Sequence, residues 1–132
     1  MYTYKCIITD IKDGDTVVVD IDLGFRAWLH DISIRVNGID APETRTKDLI
    51  EKRWGLLSKS IVEKLIPIGS TQIITTVIDR DKFGRVLGDF SLNETTLSKY
   101  MVENHYAIVY QDDDVIAKEM HMTNWKILSE SV

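Results

Sequence analysis

The sequence is poor in several residue types, and each shortage removes a class of protein. Cys6 is the only cysteine, which excludes a disulfide framework and a thiolate metal site. It sits in an apolar stretch and reads as a small core residue. Only two prolines and seven glycines occur, with no Ser/Pro/Gly linker, low-complexity tract or fixed-period repeat. Disordered and collagen-like chains are excluded, and so is a membrane span, since no long apolar run exists. Basic charge is in deficit: 16 Lys plus Arg stand against 21 Asp plus Glu, giving a formal net charge of −5 and a pI near 5.1. A polyanion can bind such a chain only where arginine and lysine are locally concentrated, because the molecule's overall field repels it. The first residues lack the basic start and apolar stretch of a secretory leader, so a cytoplasmic location without membrane association is expected.

What is present suits one globular domain over residues 1–132. The length falls within the roughly 100–200 residues of a single core, and 44% hydrophobic with 28% charged residues is ordinary for a soluble fold. The first third alternates in the manner of strands: Cys6-Ile7-Ile8, then Val17, Val19, Ile21 and Leu23, then Ile32, Ile34 and Val36. Arg35 therefore points away from the face that carries Ile34 and Val36. Asp13-Gly14-Asp15 supplies a hairpin turn, with Gly14 free to take positive φ. Apolar Ile50, Trp54, Leu57, Ile61 and Leu65 predict a helix over about Leu49 to Leu65, closed by Pro67 and Gly69.

Ile73, Ile74, Val77 and Ile78 predict a further strand, followed by a polar turn from Asp79 to Gly84. The strand after it, Arg85 to Leu92, has Val86, Phe90 and Leu92 on one face. Leu97, Tyr100, Met101 and Asn104 indicate a short helix capped by Asn93 or Thr95. Ile116, Met120, Thr123 and Ile127 indicate a last helix, whose start is favoured by Asp112, Asp113 and Asp114. Five strands with three helices in this order predict an α+β fold, a five-stranded OB-type β-barrel.

Chemistry concentrates in two stretches. In Arg35 to Thr44 a strand-borne arginine precedes two carboxylates, Asp40 and Glu43, with Pro42 stiffening the bend between them. These carboxylates can face one ion-sized space, and Asp15 can supply a third if the strands are neighbours. Hard oxygen ligands suit Ca²⁺ or Mg²⁺. In Asp81 to Arg85 a second arginine follows a glycine turn. Two guanidinium forks and a divalent cation are what phosphoryl transfer requires, since charge spreads over the equatorial oxygens of its transition state.

These blocks resemble the thermonuclease family, that is, staphylococcal nuclease and its relatives, including the nuclease-like domains of Tudor nuclease proteins. The family's Asp-Gly-Asp-Thr stands as Asp13 to Thr16, its Arg and Asp-Thr-Pro-Glu-Thr as Arg35 and Asp40 to Thr44, and its Asp-Lys-Tyr-Gly-Arg as Asp81 to Arg85. The resemblance covers nearly the whole chain. It implies Ca²⁺ held by Asp15, Asp40 and the backbone carbonyl of Ala41, water activated by Glu43, and phosphate bound by Arg35 and Arg85. The implied activity is Ca²⁺-dependent endonuclease cleavage of single-stranded or frayed DNA and of RNA, leaving 3′-phosphates. Ala41 stands where the family has threonine and Phe83 where it has tyrosine, while Tyr110 or Tyr106 corresponds to an aromatic near the base. Lys82, Arg45, Lys47 and Tyr110 are expected substrate contacts. Arg35, Arg45, Lys47, Arg80, Lys82 and Arg85 can together form a basic mouth on an acidic protein, and a monomer is expected.

Taken singly, each feature has a plainer explanation. An Asp-Gly-Asp turn is ordinarily only a hairpin, Asp79 to Gly84 a solvated turn, and Arg35 a partner for a nearby acid. His30, His105 and His121 lack metal spacing and are assigned surface or core roles. Asp112 to Asp114 suit a helix start better than a calcium loop, and Trp28, Trp54 and Trp125 suit packing. The competing function is a non-catalytic OB-fold module that binds nucleic acid or a protein partner. Co-occurrence of three carboxylates and two arginines in matching order favours the enzyme. A sugar-binding barrel would need an aromatic platform that is absent from the sequence.

Overall fold

Alternating burial draws the first three strands together: Val17, Val19 and Ile21 turn inward, and so do Ile34 and Val36. In the computed structural model, which describes residues 1–131 without the side chains of Ile78 and Asp79, these strands are β1 (Tyr2–Asp13), β2 (Thr16–Gly24) and β3 (Ala27–Val36). The strand and turn positions predicted at Ile78 and Asp79 thus lie outside the described side chains. With β5 (Thr71–Arg80) and β6 (Val86–Phe90) they close a barrel in the order β1-β2-β3-β6-β5. All neighbours are antiparallel except β3 and β6, which pair in parallel from Ile34 opposite Val86 to Val36 opposite Gly88. The expected α+β barrel with three helices is the fold found.

The barrel interior is filled by Ile8, Ile11, Val17, Val19, Ile34, Ile74 and Phe90, each at most 1% exposed. Helix α1 (Leu49–Leu65) adds Val62, with Ile66 just beyond it, and α2 (Leu97–Glu103) adds Leu97 and Met101. Asp48 caps α1 by accepting from the N–H groups of Ile50 and Glu51, and Asp113 caps α3 (Asp114–Glu130) in the same way, as oxygen-bearing side chains do at helix starts. Among the described residues no helix is long and apolar enough to cross a membrane.

Several local expectations are corrected. Gly14 does not take positive φ; a Cβ there would lie 2.9 Å from Ser58 Cβ and 3.0 Å from Ala41 Cβ, so close packing is what requires glycine. Leu23 and Trp28 lie on the outer part of the β2–β3 hairpin, 42% and 39% exposed, so Trp28 is not a packing residue. Helix α1 buries Trp54, Gly55, Ser58 and Val62, leaving Ile50 64% exposed. Thr96, not Asn93 or Thr95, caps α2. Helix α3 turns Ala117 and His121 inward and exposes Ile116 and Ile127. A further pair, β4 (Ile39–Asp40) with β7 (Ile108–Val109), is too short to leave a periodic signal.

Gly55 explains how closely α1 approaches the loop after β4. A Cβ at this position would collide with Glu43 O, and would lie 2.7 Å from Glu43 C and 2.9 Å from Pro42 O. In an unconstrained helix, Gly→Ala stabilises by about 1 kcal/mol. Here Gly55→Ala should destabilise by about 1–3 kcal/mol, the usual cost of overpacking. Urea unfolding checks this; a midpoint at or above that of the wild type would refute the close-contact explanation.

Candidate active site

Both carboxylates of the β1–β2 turn reach across to the loop after β4. Asp13 Oδ1 accepts from Thr44 N (3.1 Å) and Thr44 Oγ1 (2.6 Å), while Asp15 Oδ2 accepts from Ala41 N (2.8 Å). The segment Ala41 to Thr44 is therefore held at both ends. Glu43 N donates to Glu51 Oε2 at 3.2 Å, which ties the middle of the loop to the first turn of α1. Asp40 is fixed through its backbone by pairing with Ile108.

Arg35 lies between the acids. Its Nη2 is 3.5 Å from Asp15 Oδ2 and 3.6 Å from Asp40 Oδ1, and its Nη1 donates to Val36 O at 3.2 Å. Arg85 is aligned by Asp81: its Nε donates to Asp81 Oδ2 at 2.6 Å, and its backbone N–H to Asp81 Oδ1 at 2.8 Å. Gly84 has a φ of +79°, which lets the chain reverse so that Asp81 and Arg85 meet. Arg85 Nη1 also reaches Thr16 Oγ1 at 3.4 Å, and that hydroxyl bonds Asp15 Oδ1 at 3.0 Å. The two arginines thus share Asp15 as a common anchor.

These groups border a cleft of about 550 Å³ whose wall includes Asp15, Arg35, Glu43, Lys82, Arg85 and Tyr110. Phe83, 72% exposed, and Tyr110, 51% exposed, contribute aromatic surface to it. Of the expected basic mouth, Arg35, Lys82 and Arg85 line the cleft. Arg45, Lys47 and Arg80 do not; all three are exposed to solvent outside it. A second hollow of about 310 Å³ lies on the side of Asp40 and Ala41, bordered by Glu43, Glu51, Asp114 and His121. Its acidic wall does not suit a phosphate.

Among the described residues no three His, Cys, Asp or Glu side chains converge closely enough to cage an ion. Asp15 and Asp40, the two carboxylates expected to hold an ion, share one neighbour. One oxygen of each already flanks a single positively charged nitrogen of Arg35. Two hard carboxylates directed at one point of positive charge fit a divalent cation that completes its shell with water and substrate oxygen.

Electrostatic strain is concentrated here. Burial is the largest influence on Asp15 and raises its pKa above the ordinary aspartate value, overriding the lowering by Arg35 and by the Ala41 N–H, while the charge of Asp40 adds to the rise. Glu43 is exposed as a residue, yet partial desolvation of its carboxyl, followed by the charges of Asp13, Asp15, Asp40 and Glu51, pushes its pKa up to about 7. Desolvation also opposes ionisation of Asp81, but the bonds from Arg85 and Phe83 prevail and lower its pKa.

Several members of the site were not singled out in the sequence. Thr16 and Asp81 stood inside the quoted blocks, but their partners were not legible there. Glu51 and Gly55 looked like ordinary helix positions. His121, assigned a surface or core role, places Nε2 2.9 Å from Asp40 Oδ2.

The profile of the family described as staphylococcal nuclease homologue matches residues 33–128, a segment that contains Arg35, Asp40, Glu43 and Arg85 and begins after Asp15. Two proteins of rice, Oryza sativa subsp. japonica, each named "probable staphylococcal-like nuclease" (CAN2 and CAN3), are 31% identical to the chain over 93 residues. Those residues make up 70% of this chain and 22% of each relative, so the chain corresponds to about a fifth of their length.

The raised pKa of Glu43 has a consequence for stability. Folded protein binds this proton more tightly than unfolded chain does, so between the ordinary value of 4.5 and about 7 stability falls as pH rises. The raised Asp15 acts in the same direction. In chelator, the melting temperature should fall by a few degrees across this window, corresponding to about 1 kcal/mol for Glu43 once solvent screening is allowed for. Glu43→Gln should flatten the slope. Calorimetry at several pH values checks both, and a melting temperature that rises over the window would contradict them.

Proposed function

The chain belongs to the staphylococcal nuclease homologue family, and from that premise we propose that it is a Ca²⁺-dependent nuclease. The proposed substrates are single-stranded or frayed DNA and RNA, cleaved by in-line attack of water to leave 3′-phosphates. The observation that carries this reading is the meeting of Arg35, Arg85, Glu43 and Asp15 in one cleft, with Asp40 reached through Arg35 from the adjoining hollow.

Asp15 and Asp40 would hold the cation, with the carbonyl of Ala41 as a further ligand. When bound, the cation supplies Lewis-acid polarisation of a phosphoryl oxygen. Arg35 retains donors for the phosphate: its distances to the carboxylates, 3.5 and 3.6 Å, exceed the roughly 2.7–2.9 Å of a full charge-assisted hydrogen bond. Arg85 spends Nε on Asp81, so its orientation is set before substrate arrives, and with Nη1 making only one long bond to Thr16 Oγ1 its terminal nitrogens keep N–H groups for the non-bridging oxygens. Such preorganised donors favour the extra charge of a five-coordinate phosphorus over the ground state. Glu43, with a pKa of about 7, is matched to take a proton from water near neutral pH.

Lys82 beside the cleft would contact a neighbouring phosphate. The exposed rings of Phe83 and Tyr110 offer stacking surfaces to unpaired bases, an interaction tolerant of base identity. Strands already single or frayed present such bases without a further unpairing cost.

Cleavage of a short fluorescent single-stranded DNA and its RNA counterpart, in Ca²⁺, Mg²⁺ or EDTA, tests the proposal. We expect Ca²⁺-dependent cutting with 3′-phosphate ends. Glu43→Gln should lower kcat by about 10²–10⁴-fold, the usual contribution of a positioned base, with little change in KM. Arg35→Lys should be nearly as damaging as Arg35→Ala, because an ammonium cannot reproduce the planar fork. Wild-type rates in either variant would remove that residue's role. Saturable binding without cutting in any metal would favour the binding-module alternative.

A further inference from the structure

One polar contact of the candidate site is not used by the chemistry above. His121, on the inward face of α3, is 7% exposed, and its Nε2 lies 2.9 Å from Asp40 Oδ2. The other oxygen of that carboxylate, Oδ1, is the one 3.6 Å from Arg35. We propose that His121 is a positioning residue: by occupying one oxygen of Asp40 it turns the other toward Asp15 and sets the geometry with which the pair receives a cation. This rests on the cation reading given under the proposed function.

The imidazole is itself immobilised. It stacks on Trp125 at 6.0 Å with an interplanar angle of 22°, and Trp125 stacks on Trp54 at 6.3 Å and 6°. The Arg53 guanidinium lies over the far ring, with Cζ 5.1 Å from its centroid. Trp54 immediately precedes Gly55, whose backbone packs on Pro42 and Glu43. Helices α1 and α3 thus hold the ring together, and through it a side chain whose backbone β4 has already fixed. Asp40 is located twice, by strand pairing and by the imidazole.

A role in stability alone explains the arrangement poorly. An ionised carboxylate only accepts, so Nε2 carries the shared proton. Nδ1 is left buried without a partner among the described residues. Buried unpaired polar atoms are costly, and an apolar ring at this position would stack on Trp125 without that cost. The gain that histidine brings is the bond to Asp40. Partners that orient metal-binding side chains in this way typically change affinity by about 10–100-fold when removed.

The test compares the wild type with His121→Phe, which keeps a flat ring for the stack but has no donor, and His121→Gln, which restores an N–H to Asp40. Calorimetric titration with Ca²⁺ in the absence of nucleic acid should show about 10-fold weaker binding in the Phe variant, with substantial recovery in the Gln variant. The melting temperatures in chelator should not follow the same order. Unchanged affinity in the Phe variant, or a Gln variant no tighter than Phe, would overturn the assignment while leaving the nuclease reading intact. Absence of Ca²⁺ binding and of cutting in the wild type would overturn both.

A second measurement needs no substitution. Nitrogen-15 spectra of the wild-type histidine rings should show His121 protonated at Nε2, with a resonance that shifts on addition of Ca²⁺. A His121 signal indifferent to Ca²⁺ over the range in which calorimetry reports binding would refute the proposal.

Discussion

The buried carboxylate of Asp15 is the constraint on which the rest of the site depends. At 4% exposure it has given up nearly all contact with water, a cost that its polar neighbours offset only in part, since its pKa stays raised. The compensation comes from different parts of the chain: Thr16 from β2, Arg35 from β3, and the Ala41 N–H from the loop after β4. Satisfying one acid therefore fixes the distance from the barrel to the loop and the place of the guanidinium between them. Arg85 is drawn in through Thr16, and Asp40 through Arg35. A residue that is costly to bury becomes the centre around which the chemically active groups are ordered.

The acids of this region also repel one another, and that repulsion is not fully cancelled. Glu43 is crowded by Asp13, Asp15, Asp40 and Glu51, which together with desolvation lift its pKa to about 7. Apolar packing elsewhere, from Val62 and Ile66 against the barrel and from Leu97 and Met101 at its end, provides the stability that lets such a cluster persist. The same close packing carries α1 onto the loop backbone at Gly55, so a position with poor helix propensity is retained for steric reasons. Local preference gives way to the requirement that Glu43 be held at the cleft.

How much of this was legible in the sequence follows from distance along the chain. Arg35, Asp40 and Glu43 lie within one short stretch, and Asp81 and Arg85 within another, so their pairing with a strand and a turn could be read directly. His121 lies 81 positions from Asp40, and an apolar period carries no signal for an inward-facing histidine. The spacing of Ile116, Met120, Thr123 and Ile127 predicts the helix, yet Ile116 and Ile127 are exposed and Ala117 and His121 face inward. The pairing of β4 with β7 spans only two residues on each side, too few for any alternation. Proximity in sequence also misled in the opposite sense: Arg45 and Lys47 follow Glu43 closely in the chain, yet both are exposed and neither lines the cleft.

That last difference bears on how an acidic protein would meet a polyanion. With Arg35, Lys82 and Arg85 as the cations at the cleft, favourable contact extends over only a few phosphates, and beyond them the net charge of −5 opposes a long strand. Arg35 is further committed to two acids, so its attraction for phosphate is local and steeply distance-dependent. Affinity must then come from short-range geometry: a fork held by Asp81, rings at Phe83 and Tyr110, and a carboxylate pair directed at one point. Each acts on a single nucleotide unit or its neighbour. On the proposed reading, the cleft therefore selects the end or the unpaired stretch that can enter it, and the acidic exterior contributes by discouraging duplex from binding anywhere else.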